Sequence, residues 1–132
     1  MTELSLTIPM EPPSGNHYKS FRVIGKHASW YLTKEAKSWI TEIALASFQA
    51  VGCYTADGSC DCRQVSGKAH EVTYAVYQGS GSRGDVDNYA KVILDGLVKA
   101  GVLKSDASVV AMHAYKFRDR ENPRTEITVR AI

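Results

Sequence analysis

Between Glu71 and Phe117 the spacing of apolar residues changes period twice, and this double change restricts the folds open to the chain more than any other feature. Val72, Tyr74 and Val76 alternate, as in a strand with one buried face. Val92, Ile93, Leu97 and Ala100 then fall on one face of a helix, which Gly101 brings to a stop. The apolar run Val109-Val110-Ala111-Met112 opens a further strand that extends to Phe117. A strand, a helix and a strand in succession favour helices packed on a sheet.

The rest of the chain supplies matching parts. Leu4 to Pro9 alternates as a strand, and Pro12-Pro13-Ser14-Gly15-Asn16 ends it with strong turn chemistry. Ser29 to Tyr31 is too short to assign beyond an edge pairing. Thr33 is the expected N-cap of a helix whose face is Ala36, Ile40, Ile43, Ala44, Ser47 and Phe48, with Trp39 flanking it and Gly52 near its end. Thr125 to Ile132 is a last strand, joined to the previous one through Asp119-Arg120-Glu121-Asn122-Pro123. The expectation is a single α/β (α+β) domain over residues 1–132, with a mixed sheet of about four strands and two main helices packed on it. A chain of 132 residues, 44% of them hydrophobic, is long enough for one such core. Repeats, heptads, a signal peptide and a membrane-spanning run are absent, so a cytoplasmic protein without a membrane partner is expected.

The segment leading into the second helix carries the chemistry. In Gly84-Asp85-Val86-Asp87-Asn88-Tyr89-Ala90-Lys91 a helix starting at Asn88 makes Asp87 the N-cap and leaves Asp85 in the preceding loop. Lys91 then lies one turn above Asp87, and Asp95 one turn above Lys91. Two carboxylates on one turn are oxygen donors suited to a hard cation such as Mg2+, which binds through one or two carboxylates, waters and substrate phosphates. The plainer alternative is a helix cap with a solvated neighbour, and for Lys91 a surface pairing with Asp87 or Asp95. A third acid, Asp106 in Leu103-Lys104-Ser105-Asp106, follows the helix in the loop before the next strand.

At these residues the chain resembles the RusA-type Holliday junction resolvases. Their signature, D-x-D-N-x-x-K, then D-x-L on an apolar helix, then a glycine and a later acid, is similar to Asp85, Asp87, Asn88, Lys91, Asp95, Leu97, Gly101 and Asp106. The P-P-S-x-N-x-aromatic motif appears as Pro12-Pro13-Ser14-Gly15-Asn16-His17-Tyr18, and T-x-x-A as Thr33-Lys34-Glu35-Ala36. The resemblance spans nearly the whole chain in the family order. It implies a homodimeric endodeoxyribonuclease, dependent on Mg2+ with Mn2+ as a substitute, that nicks two strands of like polarity at a four-way DNA junction during recombination and repair. It implies catalytic roles for Asp85, Asp87, Lys91 and Asp106, metal ligation by the three aspartates, and no small-molecule cofactor. One departure stands out: many members carry paired acids after the helix, whereas this chain has Ser105-Asp106.

A net charge of +2 is too small to identify a nucleic-acid partner, so the argument rests on where the charge lies. Between Glu11 and Glu35 there is no acid, while Lys19, Arg22, Lys26 and Lys34 alternate with Tyr18, Phe21, Trp30 and Tyr31. Such interleaving suits contact with phosphates, sugars and exposed bases; a solvated loop with buried aromatics is the alternative. The expected DNA contacts are Asn16, Lys19, Arg22, Lys26, Lys34 and Arg83, the last in a Gly-rich approach to the acidic turn. Lys116, Arg118, Arg120 and Arg124 are diluted by Asp119 and Glu121 and suggest an ordinary hairpin. Cys53, Cys60 and Cys62 with His70 lack the two close ligand pairs of a structural zinc site. Their odd number favours free thiols. His113, inside an apolar strand, is expected to be a hydrogen-bonded wall residue.

Overall fold

A computed structural model describes residues 1–14, 18–52, 62–81 and 84–132. In chain order its elements are β1 (Glu3–Ile8), β2 (Lys19–Ile24), β3 (His27–Leu32), α1 (Lys34–Val51), β4 (His70–Gln78), α2 (Ala90–Lys99), β5 (Val109–Arg118) and β6 (Arg124–Ala131), with 3-10 turns at Val86–Tyr89 and Asp106–Ser108. The main sheet has the order β1-β6-β4-β5. β6 is antiparallel to both its neighbours, and β4 and β5 run parallel. A parallel pair needs a crossover, and α2 supplies it. The mixed α+β class with two main helices is therefore what forms.

Register explains the core. Leu4 pairs with Val129, Leu6 with Ile127 and Ile8 with Thr125. The same β6 residues pair with Val72, Tyr74 and Val76 on the other side. Three rows of buried side chains thus cross three strands on one face. The two helices cover that face, α1 through Ala36, Trp39, Ile43 and Ser47, and α2 through Val92, Ile93, Gly96 and Leu97. At Gly96 an added Cβ would stand 2.6 Å from Ile43 Cδ1 and 2.8 Å from Trp39 Nε1, so the missing side chain is what lets the helices meet. Trp39 is fully buried and donates from Nε1 to the Val92 carbonyl at 3.3 Å. It sits at the centre of the helix face that the spacing of Ile40 and Ala44 had put it beside. The α1 termini agree with expectation: Thr33 Oγ1 accepts from Ala36 N, and Gly52 closes the helix in the left-handed region.

Three expectations are corrected. Ser29 to Tyr31 belongs to a separate two-stranded sheet, in which β2 and β3 pair with each other and not with the main sheet. Their two-residue loop, Gly25-Lys26, has Gly25 at φ 61° and no positive φ at Lys26, as in a type II′ hairpin. His113 lies exposed on the edge strand β5, its Nε2 3.5 Å from Glu71 Oε1. Cys62 is disulfide-bonded and not a free thiol; Cys53 and Cys60 lie outside the described residues. His70 is not available to zinc, because its ring nitrogens face Ser108 Oγ and the Val65 and Ser66 carbonyls.

Candidate active site

The acidic turn rests on two buried tyrosines. Tyr74, from the central strand β4, donates its hydroxyl to the Val86 carbonyl at 2.6 Å. Tyr89 accepts from Gln78 Nε2 at 2.9 Å, and the same amide donates to the Gly84 carbonyl at 2.8 Å. Burial raises the hydroxyl pKa of Tyr74, and the Asp87 charge raises it further. At Tyr89 burial again leads; the Gln78 bond and Arg118 oppose it, while Glu11 and Asp85 add to it. Both aspartates are thus felt by the phenols beneath the turn, and Glu11, which the sequence reading treated only as the edge of an acid-free stretch, carries a third carboxylate to the same neighbourhood.

The helix begins differently from the sequence expectation. Asp85, not Asp87, is the N-cap, and it precedes a 3-10 turn (Val86–Tyr89) and not α2 itself, with Asn88 N bonded to the Asp85 carbonyl at 3.0 Å. The Asp85 side chain makes no capping bond. Asp85, Asp87, Lys91 and Asp106 are exposed, and none of their side chains has a hydrogen-bond or ion-pair partner among the described residues. Lys91 is thus not paired with Asp95, and the aspartate side chains are solvated and open to a cation, as both the solvated-neighbour alternative and a metal site require. Asp95 is engaged elsewhere, with Lys99 Nζ at 3.0 Å and with the Tyr18 hydroxyl, which donates to it. Burial would raise the Asp95 pKa, but Tyr18 and Lys99 outweigh it and hold the carboxyl below its usual range. The Tyr18 hydroxyl is pushed well above the ordinary phenol range by burial and by Asp95.

Asp106 opens the second 3-10 turn, which contacts α2, while the first contacts α2 and β5. Ser105 caps that second turn, its Oγ accepting from Ala107 N at 3.1 Å. The residue that departs from the paired-acid pattern thus has a backbone role of its own. The donor chemistry fits a hard cation: oxygen-only ligands, exposed and without protein partners. The arrangement is incomplete, since among the described residues no group of three or more His, Cys, Asp or Glu side chains stands close enough to hold a metal.

Of the expected DNA contacts, Lys19 and Arg22 lie on β2, Lys26 in the hairpin turn and Lys34 at the start of α1, all exposed. Asn16 and Arg83 lie outside the described residues. Arg124 is engaged with Asp119 at 2.8 Å and Glu126 at 3.2 Å and lies over the Tyr77 ring; the hairpin expected there does not form, because β4 lies between β5 and β6 and the 119–123 loop crosses over it. No described helix is long and apolar enough to cross a membrane.

Residues 9–130 match the family profile described as Endodeoxyribonuclease RusA. No curated protein matches the chain significantly.

Proposed function

The chain belongs to the RusA endodeoxyribonuclease family, and from that premise we propose that it resolves four-way DNA junctions by paired, metal-dependent nicks in strands of like polarity, in recombination and repair. The observation that carries the reading is the match over residues 9–130, which takes in the acidic turn and Asp106 together. The exposure of Asp85, Asp87, Lys91 and Asp106, with no side-chain partner for any of them among the described residues, leaves them accessible to a cation and a phosphate and is compatible with it.

In this reading Asp85, Asp87 and Asp106 hold Mg2+, or Mn2+ in its place. The chemistry such an ion supplies when bound is polarisation of the scissile phosphate and activation of the attacking water. Lys91, in the first turn of α2, stabilises negative charge gathering on the phosphate or the leaving oxygen as water adds to phosphorus and the P–O ester bond breaks. Tyr74, Tyr89 and Gln78 keep the acidic turn at a fixed height over the sheet, so that the carboxylates need little ordering when substrate arrives. A homodimer would present two copies of this site about a two-fold axis, as symmetric nicking of a four-way junction requires.

The test is to incubate the purified protein with labelled four-way junction, flap and linear duplex, in Mg2+ or EDTA, and to repeat it with Asp87→Asn. Symmetric nicks confined to the junction, lost in EDTA and in the variant while binding persists, are expected. Equal cutting of flaps would replace the junction by branched DNA in general. The lack of a three-acid group among the described residues favours one second reading, a junction-binding protein that does not cut. Tight binding with no product in Mg2+ or Mn2+ would establish that reading instead.

A further inference from the structure

We infer that the β2–β3 hairpin is a two-sided arm, one face of which receives unstacked bases at the branch point of DNA while the other follows phosphates; this deepens the action on branched DNA proposed above and rests on it. Residues directly opposite in an antiparallel pair share a face. Lys19 pairs with Leu32, Phe21 with Trp30 and Val23 with Ala28, so these six share one face, with Lys19 at the root of the aromatic pair. Ser20 pairs with Tyr31, Arg22 with Ser29 and Ile24 with His27, which forms the other. Phe21 and Trp30 have ring centroids 5.3 Å apart, yet they are 55% and 67% exposed, and Val23 is 62% exposed. Large rings left in water side by side mark a contact surface and not a core.

Charge selects the occupant. From Pro12 to Lys34 there is no acid, and the hairpin carries Lys19, Arg22 and Lys26, so it complements a polyanion. On the second face the Arg22 guanidinium lies 4.9 Å from the centroid of the Tyr31 ring, which braces it at the surface. Intact duplex hides the flat faces of its bases and offers phosphate and sugar. Base faces become available where stacking is broken, as at a branch, and aromatic rings take them without regard to sequence.

The arm is also fixed relative to the acidic turn. At its root Thr33 N donates to the Tyr18 carbonyl at 3.0 Å, and the Tyr18 hydroxyl donates to Asp95, one helical turn along α2 from Lys91. A base held on Phe21 and Trp30 would therefore set which phosphate meets Asp85 and Asp87.

Trp30 is exposed and Trp39 fully buried, so tryptophan emission separates binding from folding. The experiment titrates wild-type protein in EDTA with a four-way junction carrying 2-aminopurine at the branch, and with linear duplex. Quenching of Trp30 is expected with the junction alone, and 2-aminopurine emission should rise more in Trp30→Ala than in wild type if any base is still unstacked, because the indole that quenches it is gone. Trp30→Ala and Phe21→Ala should weaken junction binding on the order of tenfold to a hundredfold and leave duplex binding unchanged. Arg22→Ala and Lys26→Ala should weaken both. Unshifted Trp39 emission verifies that Trp30→Ala is folded. The inference is overturned if Trp30→Ala binds the junction like wild type, weakens both DNAs alike, or turns a dimer into a monomer, and equally if Trp30 shifts to the blue with anionic lipid vesicles but not with DNA. If bases unstack and nothing is cut in Mg2+, the arm stands and the nuclease reading falls; if junctions are cut with Trp30→Ala unimpaired, the reverse holds.

Discussion

Gly84→Ala probes the link between the fold and the acidic turn, because Gly84 immediately precedes Asp85 and has no room for a side chain. A Cβ there would lie 2.2 Å from Tyr89 Oη and 2.5 Å from Cζ. Ordinary contact requires either the ring or the turn to retreat by at least about 1 Å. Tyr89 and Gln78 are both buried, and Gln78 Nε2 bonds both the Tyr89 hydroxyl and the Gly84 carbonyl. Overpacking costs about 1–3 kcal/mol, and losing one of the two bonds adds about 1 kcal/mol. A total near 2–4 kcal/mol should lower Tm by roughly 8–16 °C for a domain of this size. If the turn yields instead of the ring, a 1 Å displacement of the aspartates should reduce junction cleavage by about a hundredfold. Thermal unfolding by circular dichroism and single-turnover cleavage in Mg2+ distinguish the two. The double variant with Tyr89→Phe, which removes the nearest atom, should recover part of the loss. Gly81→Ala is the contrast: nothing lies within 4 Å of its Cβ, but its φ of 82° strains any side chain, at about 1–2 kcal/mol. A Gly84→Ala protein with wild-type Tm and wild-type cleavage would refute the reasoning.

Two further perturbations test the frame around the site. Gly96→Ala would set a methyl 2.6 Å from Ile43 Cδ1. The better helix propensity of Ala should be outweighed, for a net loss of about 1–2 kcal/mol in urea unfolding; a stabilised variant would mean that α1 and α2 separate easily. Tyr18→Phe should destabilise by about 1–2 kcal/mol at neutral pH, the bond being charge-assisted but Asp95 partly exposed. Because the folded Asp95 pKa is depressed, its contribution is present above the unfolded carboxylate pKa and is lost as pH falls through the folded value. The gap between wild type and Tyr18→Phe should therefore close below about pH 4; a gap of equal size at about pH 3 would show that the bond is not what stabilises.

Strands with one buried face were legible in the sequence, and residues serving loops or open surfaces were not. Leu4, Leu6 and Ile8, like Val72, Tyr74 and Val76, alternate because one side of each strand meets the helices. Lys19 to Ile24 and His27 to Leu32 have no such contrast, since both hairpin faces meet water; the available signal was the Gly25-Lys26 loop between two equal runs. Asp85 and Asp87 were singled out by residue type, but a 3-10 turn over Val86–Tyr89 moved the start of α2 to Ala90 and made Asp85 the N-cap of that turn. Whether Asp106 approaches them depends on two loops on either side of α2, which no periodicity describes. Ser105 looked like a lost acid and is a cap. The bond at Cys62 ran against an odd cysteine count, which says that one thiol is left over and not which one.

The order in which the main sheet is assembled has a consequence for biosynthesis. β6 lies between β1 and β4, although it is the last strand along the chain. A nascent polypeptide can pair β4 with β5 early, but β1 must wait for a neighbour made more than a hundred residues later, as the Leu4 to Val129 pairing requires. A ribosome paused before Arg124 would thus hold two unsatisfied strand edges at once. Chaperone dependence and aggregation should be greatest in that interval.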